Sequence, residues 1–288
     1  MADHPVVRAL YRKPPFQLVF SHHFNAEIED APANIALTEL RAMGILPIYR
    51  WDSGAFAAVG AYSLDTFHLR SSDGAVLADG DYALHQIALA IGVTQTLGRR
   101  WALSVGVMPR MASDFRDELD RDMFFVEGRV EAGWAVFDSL SLRFGVAFHN
   151  RFGMYLPIPL LGCAYRPQNS WFELKAMLPK LIRASFHTTD YLDLEVFAGF
   201  DNNLWNVNQE KLGKLARYIR IRAGTGAKVR LRKGLYLRLA GGINPIRVLS
   251  SYGTDGIEEY TAKTNIAPFV DTEILINPRE WFEQRASP

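Results

Sequence analysis

The sequence predicts an all-β protein, a closed antiparallel up-and-down transmembrane β-barrel of 14 strands, with 12 strands as the alternative. Three observations predict this fold. Apolar and polar residues alternate at every second position over many segments, turn signals separate these segments, and no apolar run reaches the ~18 residues that a spanning helix needs. Any membrane crossing must therefore be made by strands.

The clearest alternation lies in residues 218–242, YIRIRAGTGAKVRLRKGLYLRLAGG. Ile219 and Ile221 share one face of an extended strand, and Arg220 and Arg222 share the other, because successive side chains of a strand point to opposite sides. The same pattern recurs in residues 100–111, 124–137, 140–150, 171–178 and 191–201. The polar face carries small residues and opposite charges in segment after segment, which favours a crowded barrel interior over a water-facing sheet surface.

The connections and the start of the chain complete the predicted architecture. Tight turns alternate with mostly longer links, which is typical of an up-and-down barrel. Earlier strands are predicted near residues 16–28, 34–48, 52–68 and 82–97. The predicted organisation is an N-terminal periplasmic or plug segment at residues 1–15, the barrel at residues 16–277, and a C-terminal tail at residues 278–288.

Composition excludes several classes of protein. The 32 basic and 31 acidic residues are interspersed and give a net charge of +1, which argues against a nucleic-acid partner. The single cysteine, Cys163, allows neither an intramolecular disulfide nor a cysteine-based metal cluster. The adjacent residues His22 and His23 cannot share one face of a strand, so they do not predict joint metal ligation. We predict no cofactor and no metal.

The predicted location is the bacterial outer membrane, with outer-membrane lipid and lipopolysaccharide as partners. The N-terminal stretch MADHPVVRALYRKPP lacks the continuous apolar core of a secretory signal. This location therefore requires that a signal segment has been removed.

The polar parity predicts two sets of charged residues in the lumen. The first set is a charge ladder of Arg220, Arg222, Lys228, Arg230, Arg238, Asp193, Glu195, Asp201, Asp271 and Glu273. The second set is a network of Arg110, Glu127, Arg129, Glu131 and Arg143, which indicates a structural role. Two interpretations of the ladder stay open. Opposite charges on neighbouring strands neutralise one another, or a basic strip faces an acidic one and selects small ions and solutes.

Residues 157–180, PIPLLGCAYRPQNSWFELKAMLPK, resemble the signature of a family of functionally uncharacterised bacterial outer-membrane β-barrel proteins. That signature joins a proline-rich strand, a Tyr-Arg-Pro turn, a tryptophan, an acidic residue and a leucine-proline corner. The matching residues are Pro157, Pro159, Tyr165, Arg166, Pro167, Asn169, Trp171, Glu173, Leu178 and Pro179. The resemblance implies a closed barrel in the outer membrane and transfers no catalytic residue.

These observations predict a narrow channel for ions or small solutes, or a structural envelope protein. The alternative is an outer-membrane lipid-modifying hydrolase, which requires a serine and a histidine to meet on the lipid side near one rim. No His-x-Ser sequence occurs, so the candidate is a non-contiguous site of Ser104 or Ser141 with His149. A further alternative is a soluble all-β binding protein, with the apolar parity buried.

Overall fold

The structure is a computed structural model that describes residues 15–29, 31–71, 80–116, 119–151, 154–168, 170–209, 213–253 and 257–278. Its strands are β1 (Phe16–Glu27), β2 (Ala33–Trp51), β3 (Gly54–Ser71), β4 (Gly80–Leu97), β5 (Trp101–Ser113), β6 (Phe124–Phe137), β7 (Leu140–Arg151), β8 (Met154–Tyr165), β9 (Phe172–Leu178), β10 (Leu181–His187), β11 (Leu192–Gln209), β12 (Gly213–Arg232), β13 (Leu235–Tyr252), β14 (Glu258–Thr264) and β15 (Ala267–Ile276). A short 3₁₀ helix, η1 (Arg121–Met123), precedes β6. Among the residues described, no helix is long and apolar enough to cross a membrane.

The strands close into an antiparallel barrel. From β1 to β14 each strand pairs with the next in sequence, and β15 pairs with β1, with Asp271 opposite Ser21. Both β14 and β15 pair with β13, so they are two segments of one strand of the wall, interrupted at residues 265–266. The barrel therefore has 14 strands, which confirms the predicted fold and excludes the 12-strand alternative.

Both ends of the described chain lie at the same end of the barrel, which we call the terminal end; the opposite end is the far end. The terminal end has short links at residues 52–53, 98–100, 138–139 and 233–234, and the far end has longer ones at residues 72–79 and 114–123. Only two residues separate the strands at 152–153 and at 179–180, on the far-end side of β7–β10. β9 and β10 have seven residues each, so the chain turns back there closer to the terminal end than elsewhere.

The outer face of the wall is apolar. Its exposed side chains include Phe16, Leu18, Phe20, Leu89, Val93, Val105, Val107, Val130, Phe144, Leu161, Ile182, Val196, Leu239, Ile243, Val270 and Ile274. Aromatic rings stack on the outer face near the terminal end, where Trp101 lies 5.7 Å from Trp134 and Trp171 lies 5.6 Å from Phe186, centroid to centroid. An apolar belt with an aromatic border is the surface that a lipid-embedded barrel presents.

The inner face is divided at the far end. Asn206 of β11 pairs in parallel with Ser113 of β5, so these two distant strands meet and pinch the barrel. Beside this contact an apolar cluster, the plug, fills the interior. It consists of Ile28, Ala33, Ile35, Leu37, Phe67, Leu69, Tyr82, Leu84, Ala112, Phe125, Leu204, Trp205, Val207, Ala216, Tyr218, Leu249 and Ala262. The predicted N-terminal plug segment and C-terminal tail lie outside the described residues, apart from Pro15 and Pro278.

Candidate functional site: the barrel lumen

The lumen has two sides that differ in packing. We call the inward faces of β1–β4 and β11–β15 the packed side, and the inward faces of β5–β10 the solvated side. The charged residues predicted for the lumen lie on both sides, and each of them is on the inward parity of its strand.

Arg220 is the centre of the packed side, and its side chain has no exposed surface. Its Nη1 lies 2.6 Å from Glu39 Oε2 and 2.6 Å from His23 Nε2, and its Nε donates to Asp201 Oδ2 at 2.9 Å. Going around the wall from β12, the strands β13, β15 and β1 lie between Arg220 and Glu39 on β2. The contact therefore runs across the interior, directly below the plug.

Further charges complete this cross-lumen network. Arg41 Nη2 donates to Glu39 Oε1 at 2.7 Å, so one buried carboxylate accepts from two guanidinium groups. Arg222 Nη1 donates to Asp271 Oδ2 at 3.2 Å and lies near Asp201 as well. Charges removed from water are tolerated when each has an opposite charge and hydrogen bonds, and Arg220, Glu39 and Asp271 have both.

A second group of ion pairs lies nearer the terminal end. Arg238 Nε donates to Glu195 Oε1 at 2.5 Å, and Arg238 Nη1 donates to Glu273 Oε2 at 3.3 Å. Glu195 reaches Arg238 across the intervening strand β12 at Gly226. A Cβ added at Gly226 would lie 2.9 Å from Ala240 Cβ and 3.1 Å from Glu195 Oε1, so a glycine is required for this approach.

The rest of the predicted ladder lies at the terminal end of the same side. Lys228 Nζ lies 2.5 Å from Asp193 Oδ2, and His187 Nδ1 lies 2.7 Å from Asp193 Oδ1. Arg230 faces the interior opposite Tyr236. The structure thus brings most of the predicted ladder into pairs of opposite charge.

On the solvated side, the contacts nearest the pinch join β5 to β6 and to β11. Arg110 Nε lies 2.9 Å from Glu127 Oε1, and Glu127 Oε2 lies 3.1 Å from His149 Nδ1. Arg110 Nη1 also donates to the backbone oxygen of Leu204 on β11, at 3.1 Å. This arginine therefore connects β5 to β11 as well as to its predicted partner.

Arg129 differs from all these charges, because 61% of its side-chain surface is exposed although it points inward midway along β6. Its neighbours across the sheet are Gly106, which has no side chain, and Ala147, which has only a methyl group, so neither covers the arginine. Its Nε lies 3.5 Å from Glu131 Oε1, and Arg143 faces the interior on the adjoining strand. A side chain this exposed at mid-height indicates solvent-accessible space on this side of the lumen.

Sequence reasoning missed the part of the network that β1 and β2 supply. His23, Glu39 and Arg41 are fully or largely buried partners, but their strands alternate poorly in sequence. In the stretch TELRAMG, Glu39 and Arg41 stand two residues apart, which places both on one face of a strand and could have indicated two inward charges. As expected, the adjacent histidines separate: His23 points inward to Glu39, and His22 points outward to Thr38.

The serine and histidine combination considered for a hydrolase is not formed on the lipid side. Ser104 faces the lumen, with its Oγ 3.0 Å from Thr94 Oγ1, and Ser141 is also buried on the inward parity. His149 is inward too and contacts Glu127. Within the described residues, no three His, Cys, Asp or Glu side chains are grouped as metal ligands.

Two thirds of the chain match a known protein family. The model of a family described as a domain of unknown function (DUF6268) matches residues 81–272, which include the 157–180 hairpin. No curated protein matches the chain in sequence.

Among solved structures, the NanC porin is 7% identical and aligns over 91% of this chain and 99% of its own, with a TM-score of 0.39. The TodX monoaromatic hydrocarbon channel is 10% identical over 95% of this chain and 93% of its own, with a TM-score of 0.40. Outer membrane phospholipase A from Escherichia coli is 9% identical over 96% of this chain and 98% of its own, with a TM-score of 0.39.

Proposed function

The chain belongs to this family of unknown function, DUF6268, and we propose that it is an outer-membrane β-barrel that serves as a narrow channel for ions or small solutes along its solvated side. The observation that carries the proposal is Arg129, a charged side chain at mid-height in the lumen that keeps 61% of its surface exposed. Solvent-accessible space reaches this point inside the wall, whereas the network and most of the plug fill the opposite side.

The apolar outer face supports the membrane location. Phe20, Val105 and Val270 are exposed apolar residues on the outer face of a sheet whose inner face is charged, which is the reverse of a soluble barrel. Outer-membrane lipid and lipopolysaccharide are the partners that such a belt contacts. A chain that folds as a monodisperse species without detergent would contradict this location.

The charge of the solvated side favours small anions. On the inward parity of β5–β10, the basic residues whose side chains the structure describes are Arg110, Arg129, Arg143, Lys175 and Arg183, and the acidic ones are Glu127, Glu131 and Glu173. Lys175 and Arg183 keep 45% and 33% of their side-chain surfaces exposed. Rings and strips of charge along a pore set its ion selectivity, so an excess of exposed basic groups should prefer anions.

Single-channel recording of the detergent-refolded chain in a planar bilayer tests the proposal. We expect a steady small conductance with anion preference, measured as a reversal potential in a KCl gradient. Arg129→Glu should shift that potential towards cation preference. The matched control is Arg99→Glu, the same charge change at an exposed turn outside the lumen, which should leave the potential unchanged.

Two results would overturn the channel. A folded barrel with no steady conductance would leave the structural envelope protein as its function. An Arg129→Glu variant with unchanged selectivity would show that the current does not pass this residue.

A further inference from the structure

A row of polar side chains crosses the outer face of β1–β4 near the far end. Thr38, His68 and Asp81 point outward, because their neighbours Glu39 and Phe67 are buried in the interior and His68 is paired with Asp81 across the sheet. Thr38 Oγ1 lies 3.4 Å from His68 Nε2, and His68 Nδ1 lies 2.9 Å from Asp81 Oδ1. A hydroxyl, an imidazole and a carboxylate therefore form a continuous chain through the two different ring nitrogens.

The hydrogen-bonding capacities of these groups determine the direction of the chain. An ionised carboxylate only accepts, so His68 Nδ1 donates its proton to Asp81. In a neutral imidazole the other nitrogen, Nε2, then accepts and the Thr38 hydroxyl donates to it. His22 Nδ1 lies 3.1 Å from Thr38 Oγ1 and can donate to it at the same time.

Arg70 holds the acidic end of the row. Its Nη2 lies 2.9 Å from Asp81 Oδ1, the same oxygen that accepts from His68. A guanidinium beside the carboxylate keeps it ionised, and an ionised Asp81 keeps the His68 proton on Nδ1. Hydroxyl, base and orienting acid thus have the arrangement of a nucleophile activated for acyl transfer.

The row lies at the border of the apolar belt. One step towards the terminal end, the outward positions are Phe20, Leu40 and Leu64, which are paired side by side across β1–β3. Phe20 is 47% exposed. A molecule that rests an acyl chain on these apolar side chains would place its polar linkage at the level of Thr38.

We propose that Thr38, His68 and Asp81 form an esterase site on the outer wall that hydrolyses carboxylic esters of lipids. The Thr38 oxygen attacks the ester carbonyl carbon while its proton passes to His68 Nε2. The carbon–oxygen bond to the alcohol breaks, and the departing oxygen takes that proton. Water then attacks the acyl-threonine through the same base, which releases a fatty acid and restores the hydroxyl.

The distance between the nucleophile and the base is long, as is common in catalytic sites without bound substrate. The 3.4 Å between Thr38 Oγ1 and His68 Nε2 is at the long end of hydrogen bonding, and such distances shorten when substrate is bound. Thr38, His68 and Asp81 come from three different strands, so no short sequence motif contains all three. The site is independent of conduction, because it lies on the opposite face of the wall.

The test uses the full chain refolded in detergent, with two esters as probes: p-nitrophenyl butyrate, and dioleoyl phosphatidylethanolamine in mixed micelles with oleate release as the readout. We expect turnover that Thr38→Val and His68→Asn each lower about 100-fold or more. Thr66→Val is the matched control, because Thr66 is the outward residue directly opposite Thr38 on β3 and is not part of the hydrogen-bonded row of Thr38, His68 and Asp81. This variant should keep wild-type turnover.

Covalent labelling separates a catalytic hydroxyl from a structural one. An alkyl fluorophosphonate should lose fluoride and form a phosphorus–oxygen bond on the peptide that contains Thr38, and Thr38→Val should abolish the label. Turnover of the butyrate ester alone would support Thr38 as the nucleophile but would overturn lipid esters as the substrates of the site. Absence of both turnover and label in the folded wild type, or wild-type turnover in Thr38→Val, would overturn the proposal.

Discussion

The packed and solvated sides of the lumen show the same alternation of apolar and polar residues, but they differ in how much of their central charged side chain is exposed to solvent. Arg220 on the packed side has no exposed side-chain surface, whereas Arg129 on the solvated side keeps 61% exposed. The packed side is built from long strands such as β12, with 20 residues, that carry plug residues above their charges. The solvated side is built from shorter strands, and Gly106 and Ala147 flank its central arginine. An inward charge is therefore a structural tie or a lumen group according to what lies opposite it.

The largest expected effect breaks the packed side at its centre. Arg220→Ala leaves Glu39 and Asp201 buried without their main partner, and we expect the free energy of unfolding to fall by about 4 kcal/mol. Urea unfolding of the detergent-refolded barrel, followed by tryptophan fluorescence, measures this. Arg129→Ala is the same substitution on the solvated side and should change stability by no more than about 0.5 kcal/mol. Equal losses of unfolding free energy in Arg220→Ala and Arg129→Ala would contradict the distinction between a packed and a solvated side.

A somewhat smaller effect is expected in the plug. Trp205 is fully buried and packs edge-on against Phe67, with ring centroids 6.0 Å apart. Trp205→Ala should lower the free energy of unfolding by about 3 kcal/mol, because it opens a cavity in an apolar cluster. Trp171→Ala removes an outward-facing ring that is 66% exposed and serves as the control. The same urea titration applies, and a larger loss for Trp171 would contradict the assignment of the plug as a packed core.

The smallest effect tests the close approach on β12. Gly226→Ala places a methyl group 3.1 Å from Glu195 Oε1 and 2.9 Å from Ala240 Cβ, so we expect a loss of about 2 kcal/mol from overpacking. Gly60→Ala is the matched control, since nothing lies within 4 Å of the added Cβ. If the Gly226 variant were as stable as the Gly60 variant, Glu195 could reach Arg238 without the space that the glycine provides.

The fold was largely predictable from local pattern. Alternation assigns each side chain to one of two faces, because the period of a strand is two residues, and Arg220, Arg222 and Glu195 were placed inward on this basis. The apolar face and the strand lengths then indicated a membrane barrel and its 14 strands. The pairing of Lys228 with Asp193 was also accessible, because these residues lie on neighbouring strands.

Contacts between distant strands could not be predicted in this way. Arg220 and Glu39 are separated by three strands around the wall, and the pinch between Ser113 and Asn206 joins strands that are far apart in sequence. The row from Thr38 through His68 to Asp81 lies on the neighbouring strands β2, β3 and β4, but it depends on strand register, which places His68 two residues beyond the position opposite Thr38, and alternation alone does not give register.

Residue order thus decides the face, the period and the closure of this barrel, because these follow from backbone geometry and from neighbours along the chain. Tertiary structure decides which inward charges are paired, which remain in water, and which outward side chains meet. These depend on distances across the barrel and between strands, where small changes in register and in side-chain size determine whether an arginine is buried in a network, like Arg220, or stands in the lumen, like Arg129.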